Sequence, residues 1–327
     1  MTSQTPHPWM ALDCAAELDR IETFIREQVL QTLRKRGAVV GISGGIDSAV
    51  VAAVLVRALG ADRVLGLFMP ETDTSNDALT LGQALAHQLG IETLTEPIAP
   101  ALQALGCYAR QADAIRTLVP EFGPGWKFKL VLPPLLDTDR LNLTQLLVQS
   151  PAGEQRSVRL TSSAYLAIVA ATNYKQRVRK MVEYHHADRL NRAVAGTPNL
   201  LEYDQGFFVK QGDGAADFKP IAHLYKTQVY LLADHLGLPE AIRQRPPTTD
   251  TFSLPQTQEE FYFALPHRQM DLCLMAFNRG LSAADAAPHL GLSPEQVDRV
   301  YRDIQAKRRV AQYLHAAPAL LPSAGPR

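Results

Sequence analysis

Residues 38–59, AVVGISGGIDSAVVAAVLVRAL, decide the fold. The first five form an apolar run that is too short for a helix, which indicates a strand buried on both faces of a parallel sheet. The apolar stretch 49–59 predicts a helix, so the glycine-rich segment 43–48 joins a strand to a helix. Glycines let backbone N–H groups approach an anion closely, and a helix amino terminus favours negative charge. The stretch therefore predicts a phosphate-binding loop.

Strand and helix patterns alternate on both sides of this loop. Apolar residues at helical spacing predict a helix over 12–36, and short apolar runs predict strands over 64–69 and 91–98. Between these two strands, residues 76–89 have helical spacing and are followed by a glycine. Alternation at these lengths predicts an α/β fold with a doubly wound parallel sheet.

The alternation stops at residues 117–160, which we interpret as an insertion. Short pieces of alternating polarity at 127–130, 140–144 and 157–160 indicate a small antiparallel flap, and 127–130 with 140–143 predict two strands with one apolar face. Such a face has to dock on the core or on a partner subunit, because an isolated hairpin is marginal in water. Residues 259–315 predict a C-terminal helical segment, and the whole chain, 1–327, is expected to form one domain.

Composition narrows the class of protein. The chain has 33 Lys and Arg against 33 Asp and Glu, so no global charge favours nucleic acid or an anionic membrane as a partner. Its three cysteines show no C-x-x-C spacing, which favours a reducing compartment over disulfides or zinc. The amino terminus lacks the features of a signal peptide, and no apolar run is long enough to span a membrane. We expect a cytoplasmic protein.

The side chains of the loop add a metal to the prediction. Ser43 and Ser48 can donate hydrogen bonds to phosphate oxygens. Asp47 would repel a phosphate unless a cation lay between them, so we expect it to hold Mg²⁺. The G-x-x-x-x-G-K-[ST] motif of ordinary kinases and ATPases does not occur in the sequence.

Two parts of the sequence carry a family resemblance. Gly41-Ile-Ser-Gly-Gly-Ile-Asp-Ser48 resembles the pyrophosphate loop of enzymes that cleave ATP between its α- and β-phosphates. N-x-x-x-R-x-R-x-M at 173–181, G-T-x-x-x-x-E at 196–202 and G-F-F-x-K-x-G-D-G-x-x-D at 206–217 narrow the resemblance to NAD synthetases. These elements follow one another at the spacing of that family.

The resemblance implies a fold like that of the adenine nucleotide α-hydrolases and a ligase reaction. In this family ATP activates the carboxylate of nicotinic acid adenine dinucleotide as an acyl-adenylate, and ammonia then displaces AMP. The family also implies a homodimer whose acid-binding site lies at the subunit interface. Only about forty residues precede the loop, so we expect ammonia, supplied from solution or by a separate protein, to replace glutamine as the nitrogen donor.

The resemblance also assigns the site residues. It implies that Asp47 and Lys226 are catalytic and that Asp47 and Glu202 bind Mg²⁺, since two carboxylates brought together need a cation between them. The residues expected to contact ATP are Gly41, Ile42, Ser43, Gly44, Gly45, Ile46, Asp47, Ser48, Thr197, Lys226 and Thr248. Those expected to bind the dinucleotide acid are Arg177, Lys210, Asp217 and Lys307.

Simpler interpretations stand beside these assignments. Without its neighbours, Glu202 would be taken for a surface carboxylate and Lys226 for a solvated lysine. For Lys175 and Lys180 we favour an ordinary basic helix face. The family pattern changes at Thr249–Phe252 and at Ala306, which leaves open a ligase of the same superfamily that acts on another acid.

A second alternative is a DNA-binding protein. Residues 281–300 have the Ala and Gly spacing of a helix-turn-helix. The second helix begins with acidic residues and the chain is neutral overall, so a helical pair packed on the core is the favoured interpretation.

Overall fold

The structure, a computed structural model, describes residues 7–136, 143–249 and 251–321. Its strands are β1 (Ala38–Gly41), β2 (Val64–Phe68), β3 (Glu92–Thr95), β4 (Lys127–Val131), β5 (Gln145–Gln149), β6 (Gln155–Arg159) and β7 (Ala193–Val194). Its helices are α1 (Cys14–Arg26), α2 (Ile46–Leu59), α3 (Asn76–Leu89), α4 (Ala99–Ala104), α5 (Cys107–Arg116), α6 (Ser162–Leu190), α7 (Leu200–Gln205), α8 (Lys226–His235), α9 (Glu240–Gln244), α10 (His267–Asn278), α11 (Ala283–Leu290) and α12 (Pro294–His315).

A parallel sheet forms the centre of the fold, with the order β3-β2-β1-β7 among the described strands. Val39 of β1 lies opposite Leu65 on one side and Val194 on the other. The loop predicted to bind phosphate leaves the carboxyl end of β1, and residues 195–197 leave the adjacent end of β7. In open parallel sheets ligands bind at this edge.

Helices cover both faces of the sheet. Ala38 and Val40 point into an apolar layer with α1, α2 and α8, whereas Val39 points to the opposite face and packs against α6. Burying each such valine contributes about 1.5–3 kcal/mol. The predicted doubly wound α/β fold is thus confirmed.

The flap is a sheet of three strands among the described residues, ordered β4-β5-β6. It is antiparallel, as predicted, but the expectation of two strands was wrong. Its central strand is β5, with Leu146 and Val148 buried, and residues 140–142 of the second predicted piece lie outside the described residues. Phe128 and Leu130 of β4 share this buried face, which packs against α5 and α6.

The carboxyl-terminal helices form a second apolar cluster. α11 and α12 form the packed helical pair that was the favoured interpretation of residues 281–300, and their apolar residues, including Ala286, Val297 and Ile304, are buried with α10. Residues 196–217, which carry two of the motifs, contain the short helix α7. Within the three described ranges, no helix combines the length and apolar character needed to cross a membrane.

Candidate active site

The phosphate loop is held in shape by its own serines. The Ser48 hydroxyl donates to the Gly45 carbonyl at 3.0 Å, and its oxygen lies 3.1 Å from the Ser43 Oγ. Gly44 has a φ of +74°, and a Cβ at this position would lie 2.3 Å from the Ala78 carbonyl oxygen. A glycine is therefore required here, because an L side chain would be both strained and obstructed. No side chain caps the start of α2, where the loop ends.

Behind the loop, one lysine joins two acidic residues that are far apart in sequence. Lys226, the first residue of α8, is fully buried, and its ammonium donates to Asp47. The same nitrogen lies 3.8 Å from Glu202 Oε1. Asp47 and Lys226 are the predicted catalytic residues, and Asp47 and Glu202 are the predicted metal ligands. The structure therefore brings all three of these residues together.

The charges of this cluster depend on one another. Burial, followed by the negative charge of Asp47, raises the pKa of Glu202 to about 7. Burial by itself would lower the pKa of Lys226, but the carboxylates of Asp47 and Glu202 outweigh that effect and raise it. The ammonium therefore stays charged, and the site holds a fixed positive charge beside the phosphate loop.

Two side chains that the sequence did not suggest complete this cluster. The Asn199 amide donates to Asp47 at 2.9 Å, and the Gln258 amide donates to Glu202 at 2.9 Å. Asn199 immediately precedes α7 and accepts a hydrogen bond from the Glu202 N–H at 3.1 Å. Since Asn is a preferred residue before a helix, the N-x-x-E spacing was a usable signal.

The oxygen donors suit a magnesium ion that shares its ligands with a substrate. Mg²⁺ is commonly held by one or two carboxylates, with phosphates and water completing its shell. Asp47 and Glu202 supply two such carboxylates on either side of the Lys226 ammonium. Within the described ranges, no group of three His, Cys, Asp or Glu side chains is arranged to hold a metal without a substrate.

A cavity of about 840 Å³ opens over this cluster. The predicted ATP and metal residues that line it are Ser43, Gly45, Ile46, Asp47, Ser48, Thr197, Glu202, Lys226 and Thr248. Gly41 and Ile42 line an adjacent cavity of about 170 Å³, together with Ser43 and Thr197. The larger cavity has the size of an ordinary ligand-binding site, and the two cavities share Ser43 and Thr197 beside the phosphate loop.

Three of the four residues predicted for the acid substrate line the larger cavity: Arg177, Lys210 and Lys307. Arg177 Nε donates to the Lys210 carbonyl at 3.3 Å, and the Lys210 ammonium donates to the Tyr313 carbonyl at 2.8 Å. Burial lowers the pKa of Lys307, which forms an ion pair with Asp303 at 2.7 Å. These cations line the side of the cavity formed by α6 and α12.

Asp217 stands apart from these three residues. Its carboxylate accepts hydrogen bonds from the Val194 N–H at 2.7 Å and the Tyr184 hydroxyl at 3.3 Å. It is not among the described residues that line either cavity. Asp213, which belongs to the same 206–217 motif, lines both cavities instead, and burial raises its pKa. The role of Asp217 in binding stays a prediction.

The basic face expected for Lys175 and Lys180 was wrong. Both are buried: Lys175 lies 3.0 Å from Glu71 and 2.6 Å from Asp73, and Lys180 lies 2.6 Å from Glu183. Helical spacing alone cannot reveal this, because the acidic partners of Lys175 come from the loop after β2, about a hundred positions earlier. Those partners became visible only in the folded chain.

The comparisons with known proteins agree with one another. A family model described as NAD synthase matches residues 17–119 and 150–311, which leaves out 120–149. Over 311 residues, 95% of this chain and 98% of the other, the sequence is 63% identical to the NH(3)-dependent NAD(+) synthetase of Mesorhizobium japonicum. It is 58% identical to that of Rhizobium meliloti, over 95% of this chain and 93% of the other. The solved NAD+ synthetase from Burkholderia pseudomallei superposes with a TM-score of 0.55 at 26% identity, over 93% of each chain.

Proposed function

The chain belongs to the NAD synthase family, and we propose that it catalyses the ATP-dependent amidation of nicotinic acid adenine dinucleotide to NAD. Ammonia is the nitrogen donor, and AMP and pyrophosphate are released. One observation carries the proposal: Asp47, Glu202 and Lys226 meet beneath the phosphate loop at the floor of the larger cavity. The name of relatives more than half identical over nearly their whole length supports the choice of substrates.

The reaction has two steps. A carboxylate oxygen of the acid attacks the α-phosphorus of ATP, so that the bond to pyrophosphate breaks and an acyl-adenylate forms. The nitrogen lone pair of ammonia then attacks the acyl carbon, AMP leaves with the bonding electrons, and a proton is lost to give the amide. Neither step needs a protein nucleophile, so the chain contributes positioning and charge neutralisation.

The described side chains provide these contributions. The loop amides and the hydroxyls of Ser43 and Ser48 hold the phosphates, and the fixed charge of Lys226 stabilises the negative charge that develops on the leaving pyrophosphate. Arg177, Lys210 and Lys307 present positive charge to the dinucleotide pyrophosphate from the other side of the cavity. Thr197 and Thr248 add hydroxyl groups between the two.

Asp47 and Glu202 are the residues that would hold Mg²⁺. When bound, the ion would supply charge neutralisation on the phosphate oxygens. Asp47→Asn should lower Mg²⁺-dependent turnover by about two to three orders of magnitude while the protein stays folded. Glu202→Gln should lower turnover by a similar factor. In both variants the ATP affinity, measured by calorimetry, should no longer depend on the Mg²⁺ concentration. A folded Asp47→Asn protein with normal turnover would exclude this assignment.

The reaction type is tested by following atoms. The products should be AMP and pyrophosphate, and labelled pyrophosphate should exchange into ATP only when the acid is present. Oxygen-18 in the acid carboxylate should appear in AMP, since that oxygen becomes the bridge to phosphorus. Formation of ADP, or AMP without label, would overturn the adenylation mechanism. Exchange with another acid but not with the dinucleotide would keep the chemistry and replace the substrate.

The nitrogen source is tested in the same assay. Ammonium should support turnover in the purified protein and glutamine should not. The rate should rise with pH near neutrality, because only NH₃, and not NH₄⁺, has the lone pair that attacks. Equal rates with glutamine in a homogeneous preparation would contradict the assignment.

The assembly and its location belong to the same proposal. Leu166 and Met181 of α6 have 63% and 62% of their surface exposed, which supports a homodimer that covers part of this helix. Sedimentation at micromolar concentration should give twice the chain mass, and a monomer under assay conditions would contradict it. The cysteines Cys14, Cys107 and Cys273 are all free, which supports the reducing cytoplasm.

A further inference from the structure

One wall of the larger cavity is formed by residues 251–261, which we call the wall segment. Thr251, Phe252, Gln258 and Phe261 of this segment line the cavity. Through Gln258 the segment also reaches the Glu202 carboxylate, at 2.9 Å. The position of the wall segment therefore decides the shape of the cavity and one of the contacts to the charged cluster.

Strand β4 of the flap runs along this segment and bonds to it repeatedly. The Phe128 N–H donates to the Ser253 hydroxyl at 2.9 Å, and the Phe128 carbonyl accepts from the Leu254 N–H at 3.2 Å. One step further along the strand, the Lys129 ammonium donates to the Pro255 carbonyl at 3.1 Å and to Glu260 at 3.0 Å.

Gln256 makes the most buried of these contacts, since only 4% of its surface is exposed. Its amide donates to the Leu130 carbonyl, and its own backbone carbonyl accepts from the Thr249 N–H at 3.1 Å. Thr249 lines both cavities. Gln256 thus connects the flap directly to a residue of the site.

Aromatic side chains add apolar contacts between the flap and the wall segment. Phe252 packs edge-on against Phe128, with their ring centroids 5.4 Å apart, and against Phe261 at 5.3 Å. The flap also reaches the cavity itself, because Leu132 and Thr144 line it. Among the described residues that line the smaller cavity, none comes from the flap.

We propose that the flap holds the wall segment in position, and that Gln256 is a positioning residue for the acid substrate. Strands β4 and β5 lie in the stretch that the family model leaves out, so this device lies outside the part of the chain that the model matches. The inference concerns the acid because the buried face of the flap packs against α6, the helix that carries Arg177, whereas the residues predicted to contact ATP lie on other elements. Only the kinetic part of this inference rests on the proposed function.

The test uses the full-length protein and three variants. Gln256→Met keeps the side-chain volume but removes the donor to the Leu130 carbonyl, and Lys129→Met removes both contacts of that ammonium. Ser157→Ala is the matched control, since the Ser157 hydroxyl donates at 2.5 Å to Gln145, inside the flap. Hydrogen exchange followed by mass spectrometry measures amide opening in residues 251–261, with β1 as the internal reference.

Exchange in the wall segment should become about threefold to tenfold faster in Gln256→Met and Lys129→Met, as expected for one lost hydrogen bond. β1 and the Ser157→Ala protein should be unchanged. The KM for the acid should rise by a similar factor and by more than the KM for ATP, which the wall segment reaches only through the contact of Gln258 with Glu202.

Unchanged exchange in both folded variants would overturn the proposal, and so would faster exchange with unaltered kinetics. If Gln256→Met fails to fold, the more exposed Lys129→Met decides. Failure of the proposed function is a separate result, because the wild-type protein would then not amidate the dinucleotide, whereas the exchange pattern would still be measured.

Discussion

Two fully buried lysines hold carboxylate pairs in this protein, and their surroundings differ. Lys226 contacts Asp47 and Glu202 at the floor of the larger cavity. Lys175 contacts Glu71 and Asp73, donates to the Thr251 carbonyl at 2.8 Å, and lies outside the described linings of both cavities.

The difference separates a functional charge from a structural one. The Lys175 ammonium and the Tyr108 hydroxyl, the latter at 2.9 Å, bond to the two carboxylate oxygens of Glu71, so both oxygens of this buried group are bound by the protein itself. The carboxylates around Lys226 are partly accessible from the cavity, with side-chain exposures of 16% for Asp47 and 11% for Glu202. Asp73 has a similar exposure of 14%, so what separates the clusters is the cavity: Glu71, Asp73 and Lys175 are not among the described residues that line it. A buried ion pair is evidence of function only where it faces a space for a ligand.

The largest expected effect comes from Lys175→Met. It leaves the fully buried Glu71 without its cation, so the free energy of unfolding should fall by about 3–5 kcal/mol. Urea unfolding measures the loss, and the exposed Lys127→Met is the control, expected within about 0.5 kcal/mol of wild type. If Lys175→Met is as stable as this control, the cluster is not structural.

Lys226→Met should affect turnover more than stability. Turnover should fall by about two to three orders of magnitude, because the fixed charge beside the phosphates is removed. The loss of stability should be smaller than for Lys175→Met, since water in the cavity can solvate the two carboxylates. Steady-state kinetics on samples with matched circular dichroism provide the comparison. Retained turnover together with a larger loss of stability would reverse the distinction between the two lysines.

The smallest expected effect comes from a change at Asp271, which bonds to the backbone at the start of α8, where Lys226 lies. Asp271 of α10 is fully buried and accepts from the Lys226 N–H at 3.3 Å and from the Thr227 N–H at 2.7 Å, at the start of α8. Burial raises the pKa of Asp271 from 3.8 to about 6 despite these bonds. Between these two pH values the folded state binds more protons than the unfolded state, so stability from this group falls as pH rises.

Asp271→Asn should remove that part of the pH dependence. In the wild type, this group should lower the free energy of unfolding by at most about 3 kcal/mol between pH 4 and 6. That decrease should be smaller in the variant, although the variant is less stable overall. Urea unfolding at several pH values measures the two slopes. An unchanged slope would mean that Asp271 titrates alike in the folded and unfolded states.

Much of the fold and the phosphate site was predictable because the evidence for it is local. The run 38–42 and the glycines after it predict a strand, a loop and a helix from neighbouring residues, and the structure has them at Ala38–Gly41 and Ile46–Leu59. The motif at 196–202 placed Glu202, and the structure brings it beside Asp47.

The sequence by itself thus determined the elements, the doubly wound sheet and the residue types of the charged floor. Only the tertiary structure decided that Lys175 is a core residue, that Gln258 binds Glu202 and that β5 is the centre of the flap. Each of these depends on partners from other elements of the chain, and the partner of Lys175, Glu71, lies 104 positions away. Periodicity reports which face of an element is apolar, but it does not report which buried polar group will meet its counter-charge.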